Sequence, residues 1–305
     1  MPSVSYRLIR TMFRMIGINK KLKQDEAGLR KFMDSYIPKQ DHIKVPEAKM
    51  QKKYDFTKKI IEGTECYITK EKGIQPEKAL LYVFGGGYFM PCDPGDFVFA
   101  GQFAEQTKRE VYFPIYPLAP RYKLTDSIQS VLTVYREMLK VYEPENITFF
   151  GTSSGGGLIL SLLVYIKEKK LDIPMPAHLV LQSPGLQVPP STKQMEVMRA
   201  IEPKDVMIAP DFFEMIGKIL AGKEEEYLLS PLLYDISGFP PIDIIYGSWE
   251  VMYAYLDDMV KHCENCGVEL IPHVGDKMMH CWLAMEMTPE GREARKNVFH
   301  MINRI

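Results

Sequence analysis

Short apolar runs alternate with longer amphipathic stretches along most of this chain. Seven runs have the length and the β-branched or aromatic content of strands: Glu65–Thr69, Ala79–Phe84, Glu110–Ile115, Ile147–Phe150, Ala177–Gln182, Ile242–Tyr246 and Val268–Val274. Helical spacing of apolar residues appears at Gly95–Thr107, Asp126–Val141, Leu158–Lys170, Ala254–Cys266 and Pro289–Ile305. Strands alternating with helices predict an α/β fold, a mostly parallel central sheet with helices on both faces. Leu80-Leu81-Tyr82-Val83-Phe84 and Ile244-Ile245-Tyr246 are continuously apolar, as strands buried on both faces must be.

Two regions break the alternation. Residues 1–48 read as helical, polar and lysine-rich, ending near Pro38 and Pro46, and residues 186–238 are proline-punctuated and methionine-rich, helical over Asp211–Ala221. Both are expected to contribute a cap over the carboxyl edge of the sheet, where ligands bind in open α/β folds. The 305 residues then make a single domain with one core. At the start of the chain, Leu8, Ile9, Met12, Phe13, Met15 and Ile16 recur at helical spacing among Arg7, Arg10, Arg14, Lys20 and Lys21. Charges interrupt this stretch too often for a secretory signal, and it is too short and too charged to span a bilayer. A helix packed over a binding cleft is expected, rather than an interfacial helix on a membrane.

Composition acts mainly by exclusion. A net charge of −1 supplies no electrostatic footprint for nucleic acid. The five cysteines (Cys66, Cys92, Cys263, Cys266, Cys281) are odd in number and scattered, which suits free thiols in a reducing, cytoplasmic compartment. Cys263 and Cys266 have zinc or redox spacing but no second pair, and they sit inside a helical stretch. No metal cluster, dinucleotide fingerprint or Walker loop is present, so no metal and no cofactor is expected.

The chemistry concentrates at Gly151-Thr152-Ser153-Ser154-Gly155, between a strand-like run and a helical one. Strand, sharp turn and helix are the context in which Gly-x-Ser-x-Gly displays a nucleophilic serine. A serine hydroxyl needs a base to take its proton and a third group to fix that base. Among the downstream histidines, His178 and His273 fall in strand runs, and His262 and His300 in helices. His280 alone lies in a loop after the last strand. For the acid, Glu250 follows the strand Ile242–Tyr246, whereas Asp257 and Asp258 fall within the next helix. Phe84-Gly85-Gly86-Gly87-Tyr88 follows a buried strand, where side-chain-free residues can aim backbone N–H groups at a developing oxyanion. The Ser154 N–H would add another donor.

These pieces together resemble the hormone-sensitive-lipase-like branch of the α/β-hydrolase esterases, over nearly the whole chain. Gly85-Gly86-Gly87 is similar to the end of that family's His-Gly-Gly-Gly motif, and Tyr116-Pro117-Leu118-Ala119-Pro120 to its Tyr-Arg-Leu-Ala-Pro segment. Ser230-Pro231-Leu232, Pro240-Pro241, Gly247 to Glu250 and Met279-His280 follow in the family's order. The resemblance implies a Ser153–His280–Glu250 triad, with Gly86, Gly87 and Ser154 as oxyanion donors. The chain departs from the pattern at Phe84 (histidine in the family), Pro117 (arginine), Arg121 (glutamate) and Ala254 (a second acid).

The expected function is therefore hydrolysis of a small-molecule carboxylic ester through an acyl-enzyme. A non-catalytic small-molecule receptor on the same fold, and an amide or lactone hydrolase with the same triad, are the alternatives. Tyr88, Phe89, Met90, Phe97, Met207, Phe212, Phe213 and Met215 suggest an apolar pocket for short to medium acyl chains. No nucleic-acid or membrane partner is expected. Oligomeric state is not legible, and the last strand and a cap helix are the candidate surfaces for a homo-oligomer.

Overall fold

The apolar runs assemble into one sheet in the computed structural model, which describes residues 1–220 and 226–304. Its strands are β1 (Tyr54–Ile61), β2 (Thr64–Glu71), β3 (Ala79–Val83), β4 (Glu110–Ile115), β5 (Ile147–Thr152), β6 (His178–Gln182), β7 (Ile242–Gly247) and β8 (Leu270–Gly275). Their order across the sheet is β1-β2-β4-β3-β5-β6-β7-β8. The β1–β2 and β2–β4 pairs are antiparallel, and every pair from β4 to β8 is parallel. Strand order reverses around β3, which has β4 on one side and β5 on the other. A crevice opens at such a switch point, between the carboxyl ends of the diverging strands.

The helices are α1 (Val4–Ile16), α2 (Ile18–Leu22), α3 (Glu26–Asp34), α4 (Ile37–Asp41), α5 (Glu47–Lys53) and α6 (Pro94–Thr107), then α7 (Leu124–Met138) and α8 (Ser154–Glu168). After these come α9 (Thr192–Ile201), α10 (Pro210–Leu220), α11 (Leu256–Cys266) and α12 (Pro289–Asn303). Successive strand residues point to opposite faces. Accordingly Phe150 meets Phe99 and Phe103 of α6, while Phe149 meets Tyr135 of α7. Helices α6 and α12 share the first face through Phe99, Phe103 and Phe299. The expected ends of two helices, at Ala221 and Ile305, lie outside the described residues.

Three local differences from the sequence reading have physical causes. Strand β1 was not anticipated. It is an edge strand whose Lys58 and Lys59 face solvent, so its alternation is masked by charges of the kind that protect sheet edges. Strand β8 starts at Leu270 rather than Val268. Gly267 ends α11 in the left-handed region (φ 67°), and the Val268 N–H is taken by the Cys263 carbonyl at 2.9 Å. Helix α8 starts at Ser154, directly after the nucleophile candidate, rather than at Leu158.

The two cap regions interlock. Asn19 donates to the Asp205 carbonyl (3.1 Å), Lys23 pairs with Glu202 (2.9 Å), and the Arg10 guanidinium donates to the Lys204 carbonyl. Gln40 donates to the carbonyls of Phe89 and Ala119, both at 2.8 Å, tying the N-terminal region to the loops after β3 and β4. Helix α1 is buried only at Tyr6, whereas Val4, Leu8, Met12 and Met15 are exposed, so α2 rather than α1 reaches over the cleft. No helix is long and apolar enough to cross a membrane among the described residues.

At the opposite edge of the sheet, the fully buried Asp243 of β7 joins β6, β8 and the C-terminal segment. It bonds His178 Nε2 (2.7 Å), His273 Nε2 (2.6 Å) and the Arg304 guanidinium. Burial alone would raise its pKa, but hydrogen bonds from the two histidines outweigh it and hold the carboxyl below the ordinary range. A depressed carboxyl contributes stability that is fully present above the unfolded pKa of about 3.9 and is lost progressively as pH falls from there through the lower folded pKa. Asp243→Ala is expected to lower the unfolding free energy by about 3 kcal/mol at neutral pH, because it strands the buried partners. Urea denaturation at pH 7 and at pH 3 measures the loss and its expected reduction in acid, where the contribution has begun to titrate away.

Candidate active site

Residues from five loops meet above the carboxyl ends of β3, β5, β6, β7 and β8. Ser153 sits between β5 and α8 with φ 51° and ψ −125°, a strained backbone for a residue with a side chain. Its N–H donates to the Gln182 carbonyl at 2.8 Å. The turn tolerates no Cβ at Gly155, where one would overlap the carbonyl oxygens of Val83 and Phe84. Glycine at this position lets α8 start pressed against the end of β3.

His280 lies in the loop after β8, as Glu250 does in the loop after β7. His280 Nε2 is 2.9 Å from Ser153 Oγ, and His280 Nδ1 is 2.6 Å from Glu250 Oε2. Glu250 Oε1 accepts from the Ser183 hydroxyl (2.9 Å) and the Gly247 N–H (2.6 Å). Both members of the His–Glu pair are buried, Glu250 completely. Burial opposes protonation of His280, but the Cys281 sulfur at 3.4 Å and the Glu250 carboxylate outweigh it, holding the imidazole pKa above its ordinary 6.5. The structure thus brings Ser153, His280 and Glu250 into one hydrogen-bonded chain.

The other titratable candidates lie elsewhere. His178 and His273 bind Asp243, His262 approaches the Tyr234 carbonyl (2.8 Å), and His300 is exposed on α12. Asp258 accepts from Gln194 at 2.8 Å, in the cap.

The loop after β3 runs beside Ser153. Gly86 (φ 126°) and Gly87 (φ 60°) occupy conformations open to glycine, and the Gly86 carbonyl accepts from Phe89 and Met90. The N–H groups of Gly86, Gly87 and Ser154 have no hydrogen-bond acceptor among the described residues. The loop lacks the family's histidine, and a different brace replaces it. Phe84 stacks on Tyr116 (4.3 Å between centroids), whose hydroxyl donates to the Phe84 carbonyl at 2.6 Å. The Ser154 hydroxyl accepts from the Tyr88 N–H at 3.3 Å, joining loop to elbow.

Four supporting residues escaped the sequence reading. Ser183 fixes Glu250, and Tyr116 fixes the glycine loop. The buried Asp205 accepts from the N–H groups of Met207, Ile208 and Val251, holding the cap to the residue after Glu250. Tyr6 of α1 accepts from the Met279 N–H (2.7 Å) and donates to the Lys277 carbonyl (3.3 Å), bracing the loop that carries His280. Each acts by tertiary contact. The Tyr-x-Leu-Ala-Pro segment was the one signal available for Tyr116.

A cavity of about 540 Å³ opens over Ser153 and His280. Tyr88, Met90, Met207, Phe212 and Phe213 line it, as the sequence suggested. Phe97 does not. It is buried between Tyr67 and Phe113 in the core, and Phe89 packs on Phe32 and Tyr36. Met215 also lies outside the lining, against the core.

Comparison with known proteins agrees with this architecture. Residues 80–284 match the family described as the alpha/beta hydrolase fold. An esterase of Acinetobacter venetianus is 27% identical over 61% of this chain, the match spanning 60% of its own length. An acetyl-hydrolase of Streptomyces hygroscopicus is 25% identical over 72% of this chain and 73% of its own. The crystal structure of an esterase from the bacterial hormone-sensitive lipase family superposes with a TM-score of 0.80. It is 20% identical, with 100% of this chain and 99% of that one covered. The resemblance to the hormone-sensitive-lipase-like branch read from the motifs is in line with these relatives. With its switch-point cleft, its serine elbow and a match over most of its length, the chain belongs to the α/β-hydrolase fold family.

Proposed function

We propose that this protein is a serine carboxylic-ester hydrolase of cytoplasmic location acting on small-molecule esters. The observation that carries the reading is the chain of hydrogen bonds from Ser153 Oγ through His280 to Glu250, at the floor of the cavity. Ser153 Oγ attacks the ester carbonyl as its proton passes to His280 Nε2. Glu250 holds the Nδ1–H tautomer and stabilises the imidazolium. The developing oxyanion takes the N–H groups of Gly86, Gly87 and Ser154. His280 then protonates the leaving alcohol, and water repeats the sequence on the acyl-enzyme.

Residues 1–48 and 186–238 act in this reading as a cap on a single domain. They supply Ile18, Leu22, Phe212 and Ile216 to the cavity wall, an apolar surface suited to an alkyl or aryl limb of the ester. The relatives named as an esterase and an acetyl-hydrolase support the reaction class.

Ser153→Ala is expected to lower kcat on p-nitrophenyl acetate by at least about 10⁴-fold, with an unchanged circular dichroism spectrum. Turnover within tenfold of wild type would remove Ser153 from the mechanism. The pH profile tests the base. His280 must be neutral to accept the proton, so kcat/KM is expected to fall as pH drops through a midpoint above 6.5, the raised imidazole pKa. Cys281→Ala is expected to shift that midpoint down, toward the ordinary histidine value. A midpoint that stays in place assigns the raised pKa to Glu250 alone.

A further inference from the structure

The cavity is apolar under the cap but polar on one side of Ser153. Tyr82, Phe150 and Val180 are ladder partners on β3, β5 and β6, and Tyr82 points toward α6, where its hydroxyl donates to Asp96 at 2.6 Å. Side chains two residues further along a strand share its face. Thr152 and its ladder partner Gln182 therefore project to the α6 side as well, just below the serine turn. Asp96 of α6 and Arg295 of α12 close this arm, and all four residues line the cavity.

Gln182 is the residue without an internal explanation. It is 2% exposed and lines the cavity, yet its Nε2 has no hydrogen-bond partner among the described residues. A leucine or methionine would fill the same space without leaving a polar group unmet, so a buried amide here calls for a guest. Its backbone carbonyl accepts the Ser153 N–H at 2.8 Å, which roots the side chain one strand away from the reacting oxygen.

The charges around the arm narrow the guest. Asp96 accepts from Tyr82 and from the Asp93 N–H (2.9 Å), and burial raises its pKa to about 6. Arg295 donates from Nε to the Leu283 carbonyl (2.7 Å), from Nη1 to Gln102 and Glu286, and lies over the Phe99 ring at 4.5 Å. A free carboxylate entering the arm would meet Asp96, and an ammonium would meet Arg295. Each ion is disfavoured by one wall, whereas a neutral group that both accepts and donates suits both. A hydroxyl is the smallest such group.

We propose that this arm is a hydroxyl-recognition subsite, in which Gln182 Nε2 donates to a hydroxyl carried on the short limb of the ester substrate. The inference rests on the ester-hydrolase reading and adds the substrate class. The remaining limb lies against the apolar wall under the cap.

The test compares kcat/KM, by pH-stat titration, within two pairs of esters. One pair is ethyl butyrate and ethyl 3-hydroxybutyrate, each enantiomer separately. The other is ethyl butyrate and 2-hydroxyethyl butyrate, so that either limb can carry the hydroxyl. Wild type is expected to prefer the hydroxylated ester about tenfold in one pair, the worth of one buried hydrogen bond. In Gln182→Leu and in Gln182→Met that ratio is expected to fall to about twofold or less. Because the readout is a ratio within one preparation, a general loss of rate in a variant does not mimic the result. Ratios near one in wild type for both pairs, or a preference that survives both substitutions, overturn the subsite while leaving ester hydrolysis intact. Absence of turnover on every ester, in wild type as in Ser153→Ala, removes the hydrolase reading and the subsite with it.

Discussion

Ser153 keeps its left-handed backbone because β5 and α8 press against the end of β3 with no side chain between them. A non-glycine residue in such a conformation costs about 1–3 kcal/mol, and it persists only where its surroundings determine it completely. Here the surroundings are the Gln182 carbonyl, which holds the Ser153 N–H, and the carbonyls of Val83 and Phe84, which leave no room at Gly155. The same close approach sets the glycine loop beside the serine, where the Tyr88 N–H reaches the Ser154 hydroxyl. Parallel pairing of β3, β5, β6 and β7 then delivers the remaining loops to the same edge. Loosening the β3–β5–α8 contact would disturb Ser153, the glycine loop and the floor of the cavity together.

Around that turn, burial has been met with partners almost everywhere it matters. Glu250 is fully enclosed, but both of its oxygens are engaged, by His280, Ser183 and Gly247. The absence of the family's second acid at Ala254 coincides with a different support. Asp205 comes in from the cap to the Val251 N–H, so the cap is fastened to the loop bearing Glu250 rather than merely resting on it. Phe84 is a comparable exchange: stacking on Tyr116 and the tyrosine hydroxyl do what a polar histidine would otherwise do. Against this background the unmet amide of Gln182 stands out, since among the buried polar side-chain atoms without a partner in the described residues it alone belongs to a residue lining the cavity.

Much of this was readable before any coordinates, for reasons that differ by element. The central strands and the major helices were legible because burial on both faces imposes uninterrupted apolar runs, and helices on one face impose a helical period. The meeting of Ser153, Glu250 and His280 at one place was legible because each lies in a loop after a strand, so sequence order maps onto position along one edge. Strand β1 was hidden by Lys58 and Lys59, whose charges belong to an edge. Phe97 and Phe89 were misassigned because aromatic content does not distinguish a core from a pocket wall. Ser183, Asp205 and Tyr6 were invisible since what each does depends on a residue far away in the chain. No local pattern encodes such a partnership.

The contact between Tyr6 and the His280 loop joins positions 273 residues apart. The glycine loop and the serine turn lie between residues 84 and 155, whereas His280 and the tyrosine that braces its loop flank that span on either side in sequence. Placing His280 beside Ser153 therefore goes with a long-range closure, of which the Tyr6–Met279 contact and the still longer Ser3–Glu290 contact are parts. Order at the serine turn and assembly of the Ser153–His280 contact are thus separate demands on the fold, the first met by adjacent strands and the second by distant stretches of chain.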